Sequence, residues 1–146
     1  MLLTREQFEA EIKPGKIFYF PCPELNTQVP HYFICIVRQP DEIIVLSCCT
    51  SKFETLKRLI EFNRFPNETL VYIPSSDIEN PFTLDTYVNC NEYFPYSSIE
   101  LWDLYRQGAL KIKGVLPNDS LHQIYIGFKK SPLIEYELKE ILPDMN

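Results

Sequence analysis

Glycine is scarce in this chain. Four glycines stand against twelve prolines in 146 residues. No Gly-rich phosphate loop can be drawn from them, and neither a G-x-S-x-G elbow nor an H-E-x-x-H pair occurs. P-loop, Rossmann, α/β-hydrolase and zincin chemistry is therefore not indicated. Histidine is scarcer still, with only His31 and His122. The five cysteines form no C-x-x-C, and their odd number fits free thiols in a reducing compartment. No apolar run approaches the roughly 20 residues of a membrane span. The opening MLLTREQFEAEI carries charge where a leader carries its apolar core, so a cytoplasmic protein with no membrane partner is expected. Basic charge is also short: 14 Lys and Arg against 20 Asp and Glu, a net charge of −6. Nucleic-acid binders usually show a basic footprint, so the overall balance counts against such a partner and leaves only a local patch.

What remains is the composition of a folded domain, 45% hydrophobic and 23% charged. No repeat, low-complexity stretch or linker interrupts it. A single domain over 1–146 is expected, with a strand-rich core at about 14–95 and a helical part at about 97–142.

Thr4 and Gln7 form a capping box ahead of Phe8 and Ile12, which predicts a short helix ended by Pro14-Gly15. Three strands follow: Lys16–Phe20, His31–Val37 and Glu42–Cys49, rich in aromatic and β-branched residues and separated by proline-containing breaks. The short Arg38–Asp41 break suits an antiparallel hairpin. Phe53, Leu56, Leu59 and Ile60 fall at helical spacing after Thr50 or Ser51 as N-cap. Strands resume at Glu68–Ile73 and Thr86–Cys90, around a polar loop from Pro74 to Asp85. Ser97 and Glu100 make a second capping box, with Gly108 placed to stop that helix. Leu110 opens a short edge strand, LKIKG. Two further helices bury Leu121, Ile124, Tyr125 and Phe128, then Ile134, Leu138, Ile141 and Leu142. The fold class is α+β, built on a small curled antiparallel β-barrel with a mid-chain helix and C-terminal helices packed on it.

Three places carry candidate chemistry. His31 stands where a Pro-containing loop meets a strand. It is either a general acid/base, its ordinary pKa being near neutrality, or a ring that bonds nearby backbone and closes the barrel end. His122 reads as a solvated helix residue. In CCTSK, Cys48 to Lys52, a strand hands over to a helix. Thr50, Ser51 and the first helical N–H groups suit an anion, with Lys52 and Arg58 adding charge; ordinary helix capping is the competing reading. Asn89 and Asn91 offer amides to a base or peptide, or simply begin a turn. Cys48 or Cys49 with Cys90 and His31 matches no metal-ligand spacing, and neither metal nor cofactor is expected.

PGKIFYF, VPHYFICIV, IIVLSCCTS and SSDIENPFTLDTYVNCNEYFPYSSIELWDL, in that order, resemble the strands and following helix of the PemK/MazF (Kid-like) toxin family. The resemblance spans about Pro14 to Leu104. It implies a Src-homology-3-like barrel, cleavage of single-stranded RNA without a metal, an antitoxin or other protein partner, and a homodimer. By the same resemblance Thr50 stands where the family's threonine holds the scissile phosphate. Asn89 and Asn91 stand where it carries an arginine and an acidic residue, and His31 follows Pro30 where it has an Arg-Pro pair. A rebuilt site is implied, with His31, Thr50 and Lys52 catalytic and Ser51, Arg58, Asn89 and Asn91 binding substrate. The alternative is a non-catalytic interaction module on the same barrel, with Tyr93, Phe94, Tyr96 and Trp102 as its contact patch.

Overall fold

The computed structural model describes residues 2–25, 29–75 and 82–144. Its framework is an antiparallel sheet of seven strands in the order β4-β5-β3-β2-β1-β7, with β6 paired to β3 off this path. The strands are β1 (Lys16–Phe20), β2 (His31–Arg38), β3 (Ile43–Thr50), β4 (Leu70–Ile73), β5 (Thr86–Asn89), β6 (Phe94–Ser97) and β7 (Lys111–Val115).

The apolar runs of β1, β2 and β3 are continuous because both faces of the sheet are covered. Alternation sends Ile17, Ile34, Val45, Cys49 and Val88 into one core. It sends Phe18, Phe20, Phe33, Cys35 and Leu46 into the other. The first core is closed by α4 (Asn118–Lys130) and α5 (Tyr136–Ile141), which contribute Ile124, Phe128 and Leu138. The second is closed by α1 (Arg5–Ala10) and α3 (Ser98–Arg106), through Phe8 and Leu101. Both predicted capping boxes are present, Thr4 with Gln7 and Ser97 with Glu100. Gly108 follows the end of α3 at φ 82°, in the left-handed region that suits glycine.

The expected closed barrel is corrected to an open sheet. Among the described residues β4 and β7, at the two ends of the order, do not pair with each other. The side chains that would line a barrel interior pack against α4 and α5 instead. Three local expectations also change. β6 was not foreseen, because Pro95 argues against a strand; it pairs opposite Val45 at the rim of β3. Helix α2 (Phe53–Phe62) has Lys52 as its N-cap, and neither Thr50 nor Ser51 caps it by a side chain. Ile141 is 43% exposed, while Ile134, Leu138 and Leu142 are buried as expected. Part of the Pro74–Asp85 loop lies outside the described residues. No helix among the described residues is long and apolar enough to cross a membrane.

Candidate functional site

One edge of β3 is shared by two strands. Ile43 to Leu46 pair with β6, and Cys49 and Thr50 pair with β5. On its other edge β3 meets β2, with Phe33 opposite Cys48. Carrying that register two residues further sets His31 beside Thr50. The strand ends here open onto a cleft of about 280 Å³ lined by His31, Thr50, Ser51 and Lys52. These four come from the end of β3, the start of β2 and the turn into α2.

His31 is half-buried, and its Nδ1 is buried with no hydrogen-bond partner among the described residues. That removes the expectation of a ring tied by this nitrogen to nearby backbone. An unpaired buried nitrogen costs free energy, and the ring is held at the cleft wall despite that cost. The Thr50 hydroxyl accepts from the Lys52 backbone N–H at 3.1 Å, which holds the turn and aims the hydroxyl toward the helix start. No side chain caps the first turn of α2; its leading N–H, at Phe53, donates to the Ser51 carbonyl.

Aromatic rings, which sequence reasoning did not single out, complete the walls. Tyr19 and Tyr32 face each other across β1 and β2 with ring centres 4.6 Å apart. Phe82 meets Tyr32 edge-on at 5.0 Å. The Lys113 ammonium lies 5.5 Å from the centre of the Tyr19 ring and adds a cation near this wall. The register of β1 against β2 places Tyr32 beside Tyr19, whereas Lys113 reaches the ring from two residues along β7 from the Tyr19–Lys111 pair.

A second cleft, of about 240 Å³, shares His31, Cys49, Thr50 and Lys52 with the first and adds Asn89 and Glu92. Asn89 therefore stands at the site. Asn91 does not, and its expected contact with substrate is corrected. It is buried, its Oδ1 accepts from the Ser131 hydroxyl at 2.6 Å, and its N–H and Nδ2 donate to Asn89 Oδ1. It positions Asn89. Arg58 lies on the exposed side of α2, opposite buried Leu56 and Ile60, and lines neither cleft.

Cysteine chemistry is weak here. Burial first, then the nearby Glu92 charge, pushes the Cys48 thiol up to about 12, and burial holds Cys49 well above the ordinary thiol range. Both remain protonated at neutral pH and poor nucleophiles. Their side chains point to opposite cores, as alternation requires. Among the described residues no three His, Cys, Asp or Glu side chains come together as a metal site. The contact patch of the alternative reading is mostly spent inside the chain. Tyr96 is buried against Phe20, Phe94 packs on Phe33, Trp102 packs on Phe8, and the Tyr93 hydroxyl donates to Glu135.

No family model matches the chain, and no curated protein matches it.

Proposed function

We propose that this chain is a divergent PemK/MazF-like protein that cleaves single-stranded RNA without a metal, on a rebuilt site. One observation carries the reading. An imidazole, a hydroxyl pair and an ammonium line one open cleft, at His31, Thr50, Ser51 and Lys52. RNA cleavage through the 2′-hydroxyl asks for a base near that hydroxyl and positive charge near the phosphorane. His31 takes the 2′-proton. The 2′-oxygen bonds to phosphorus, and the bond to the 5′-oxygen breaks, leaving a 2′,3′-cyclic phosphate. Solvent in the open cleft protonates the departing 5′-oxygen. Lys52 faces the charge that builds on phosphorus, and Thr50 and Ser51 donate to its non-bridging oxygens. The half-buried rings of Tyr19 and Tyr32 offer surface on which unpaired bases stack.

The test incubates purified protein with mixed single-stranded RNA in the presence of a chelator. Cleavage that leaves cyclic-phosphate ends is expected. His31→Ala should slow it by about 100-fold or more, the lower end of general-base contributions. Lys52→Ala should slow it too, and the effect should fade in high salt. Intact RNA, or cleavage indifferent to His31→Ala, refutes the reading.

A further inference from the structure

The second cleft differs in character from the first. Leu25, Leu56 and Leu59 give it apolar walls, while Asn89 and Glu92 supply its distinctive polar groups. Its volume of about 240 Å³ falls below the roughly 300–1,000 Å³ of pockets that enclose drug-sized ligands. That is room for one planar heterocycle and too little for a whole nucleotide. His31, Thr50 and Lys52 line both clefts, so a chain crossing them would place a base in the second and its phosphate in the first.

We propose that the second cleft is a guanine pocket in which Glu92 accepts from the base N1–H and 2-amino group while Asn89 donates to O6. The proposal rests on the reading of the adjoining cleft as an RNA site and adds the identity of the base. The direction of Asn89 is fixed by its neighbour. Its Oδ1 is occupied by the Asn91 N–H and Nδ2, both at 3.0 Å, so the amide turns its NH₂ outward. Among the described residues no hydrogen bond or ion pair engages the Glu92 carboxylate. Glu92 is exposed at the mouth of the cleft, with desolvation raising its pKa, so its carboxylate is free to accept from two N–H donors.

A donor beside an acceptor selects among the four bases. Guanine presents O6, then N1–H, then the 2-amino group. Adenine and cytosine present the reverse order at the first two positions. Uracil matches two positions but sets a carbonyl against the carboxylate at the third. The 2-amino group is thus the deciding contact, and hypoxanthine, which lacks it, is the sharpest probe.

The experiment titrates GMP, IMP, UMP and AMP into the wild-type protein and into Glu92→Gln, following backbone amide shifts by NMR. GMP should bind tightest, with shifts at Asn89 and Glu92, and IMP roughly tenfold more weakly, the lower part of what a bidentate base contact discriminates. Glu92→Gln should erase the difference between GMP and IMP. Equal binding of the nucleotides, no saturable binding of GMP, or an unchanged preference in Glu92→Gln overturns the proposal. Mononucleotides carry no scissile linkage. RNA cleavage without guanine preference would therefore sink the pocket alone, and guanine preference without cleavage would sink the catalytic reading alone.

Discussion

Gly127 sits in α4 where that helix crosses the turn before β4. A Cβ built there lies 2.6 Å from Cys90 Sγ and 2.7 Å from the Glu68 carbonyl oxygen. Both distances are close to an ångström inside ordinary contact. Neither group can step aside. The oxygen is backbone, and Cys90 is fully buried with its thiol 3.7 Å from the Ile124 carbonyl. Gly127→Ala should therefore push α4 off β4. Alanine gains about 1 kcal/mol over glycine as a helix former. Overpacking costs about 1–3 kcal/mol, occasionally more, and two clashes against fixed atoms belong at the upper end. A net loss of about 2 kcal/mol follows, or about 5–8 °C in Tm for a domain of this size. Urea unfolding followed by the fluorescence of Trp102 measures it. Gly108→Ala is the control, since nothing lies within 4 Å of its Cβ and only its φ of +82° is unfavourable; it should cost about 1 kcal/mol. Adding Cys90→Ala to Gly127→Ala should not restore stability, because the Glu68 oxygen stays. A Gly127→Ala protein as stable as wild type would refute the packing described between α4 and β4.

Two other perturbations test the wall of the second cleft. Asn91→Ala removes the acceptor of the buried Ser131 hydroxyl and should cost about 1–3 kcal/mol in urea unfolding; the double variant with Ser131→Ala should cost less than the two added, and strict additivity would refute the coupling. Glu92→Gln tests desolvation by its pH dependence. The folded pKa is raised, so the stability tied to protonation is complete below the unfolded carboxylate value of about 4.3 and is lost as pH rises through the folded one. The glutamine variant should therefore gain on wild type as pH increases and hold that gain at neutrality, by a small amount because Glu92 is exposed overall. A difference that does not vary with pH would contradict it.

The elements that sequence made legible were those with one dominant cause. The two capping boxes announce α1 and α3, and the aromatic and β-branched runs announce β1, β2 and β3. Elements with competing causes were not legible. Pro95 masked β6, because its compatibility with a strand depends on which side of β3 it occupies. Closure was unreadable for a related reason. A run such as Ile43 to Leu46 is equally apolar whether its second face meets a barrel interior or a helix, and the sequence does not say which. His31, Thr50, Ser51 and Lys52 share one cleft because a strand terminus beside a helix start presents side chains in one place. Arg58 and Asn91 were misplaced because spacing along a chain does not fix which side of α2, or which side of the β5 terminus, a residue occupies. Glu92 carried no local signal. Its role depends on where the chain between β5 and β6 lies, which is a tertiary fact.

That connection explains why the two clefts sit where they do. β3 has alternating side chains committed to both cores, so along most of its length nothing of it reaches solvent. Its outer edge, however, is taken by β6 as far as Leu46 and by β5 from Cys49. No one strand can do both, because β5 and β6 are joined by Cys90 to Tyr93 and the chain must turn there. The turn falls beside Ser47 and Cys48, which neither β5 nor β6 pairs, and carries Asn89 and Glu92 to the second cleft. Ser131 and Asn91 then pin the turn from the side of α4. The sheet's change of partner thus creates the opening and supplies the groups that furnish it. Substitutions in the Asn91–Ser131 clamp should disturb ligand preference at the second cleft before they disturb the His31–Thr50–Lys52 wall, which is built on β2, β3 and the turn into α2.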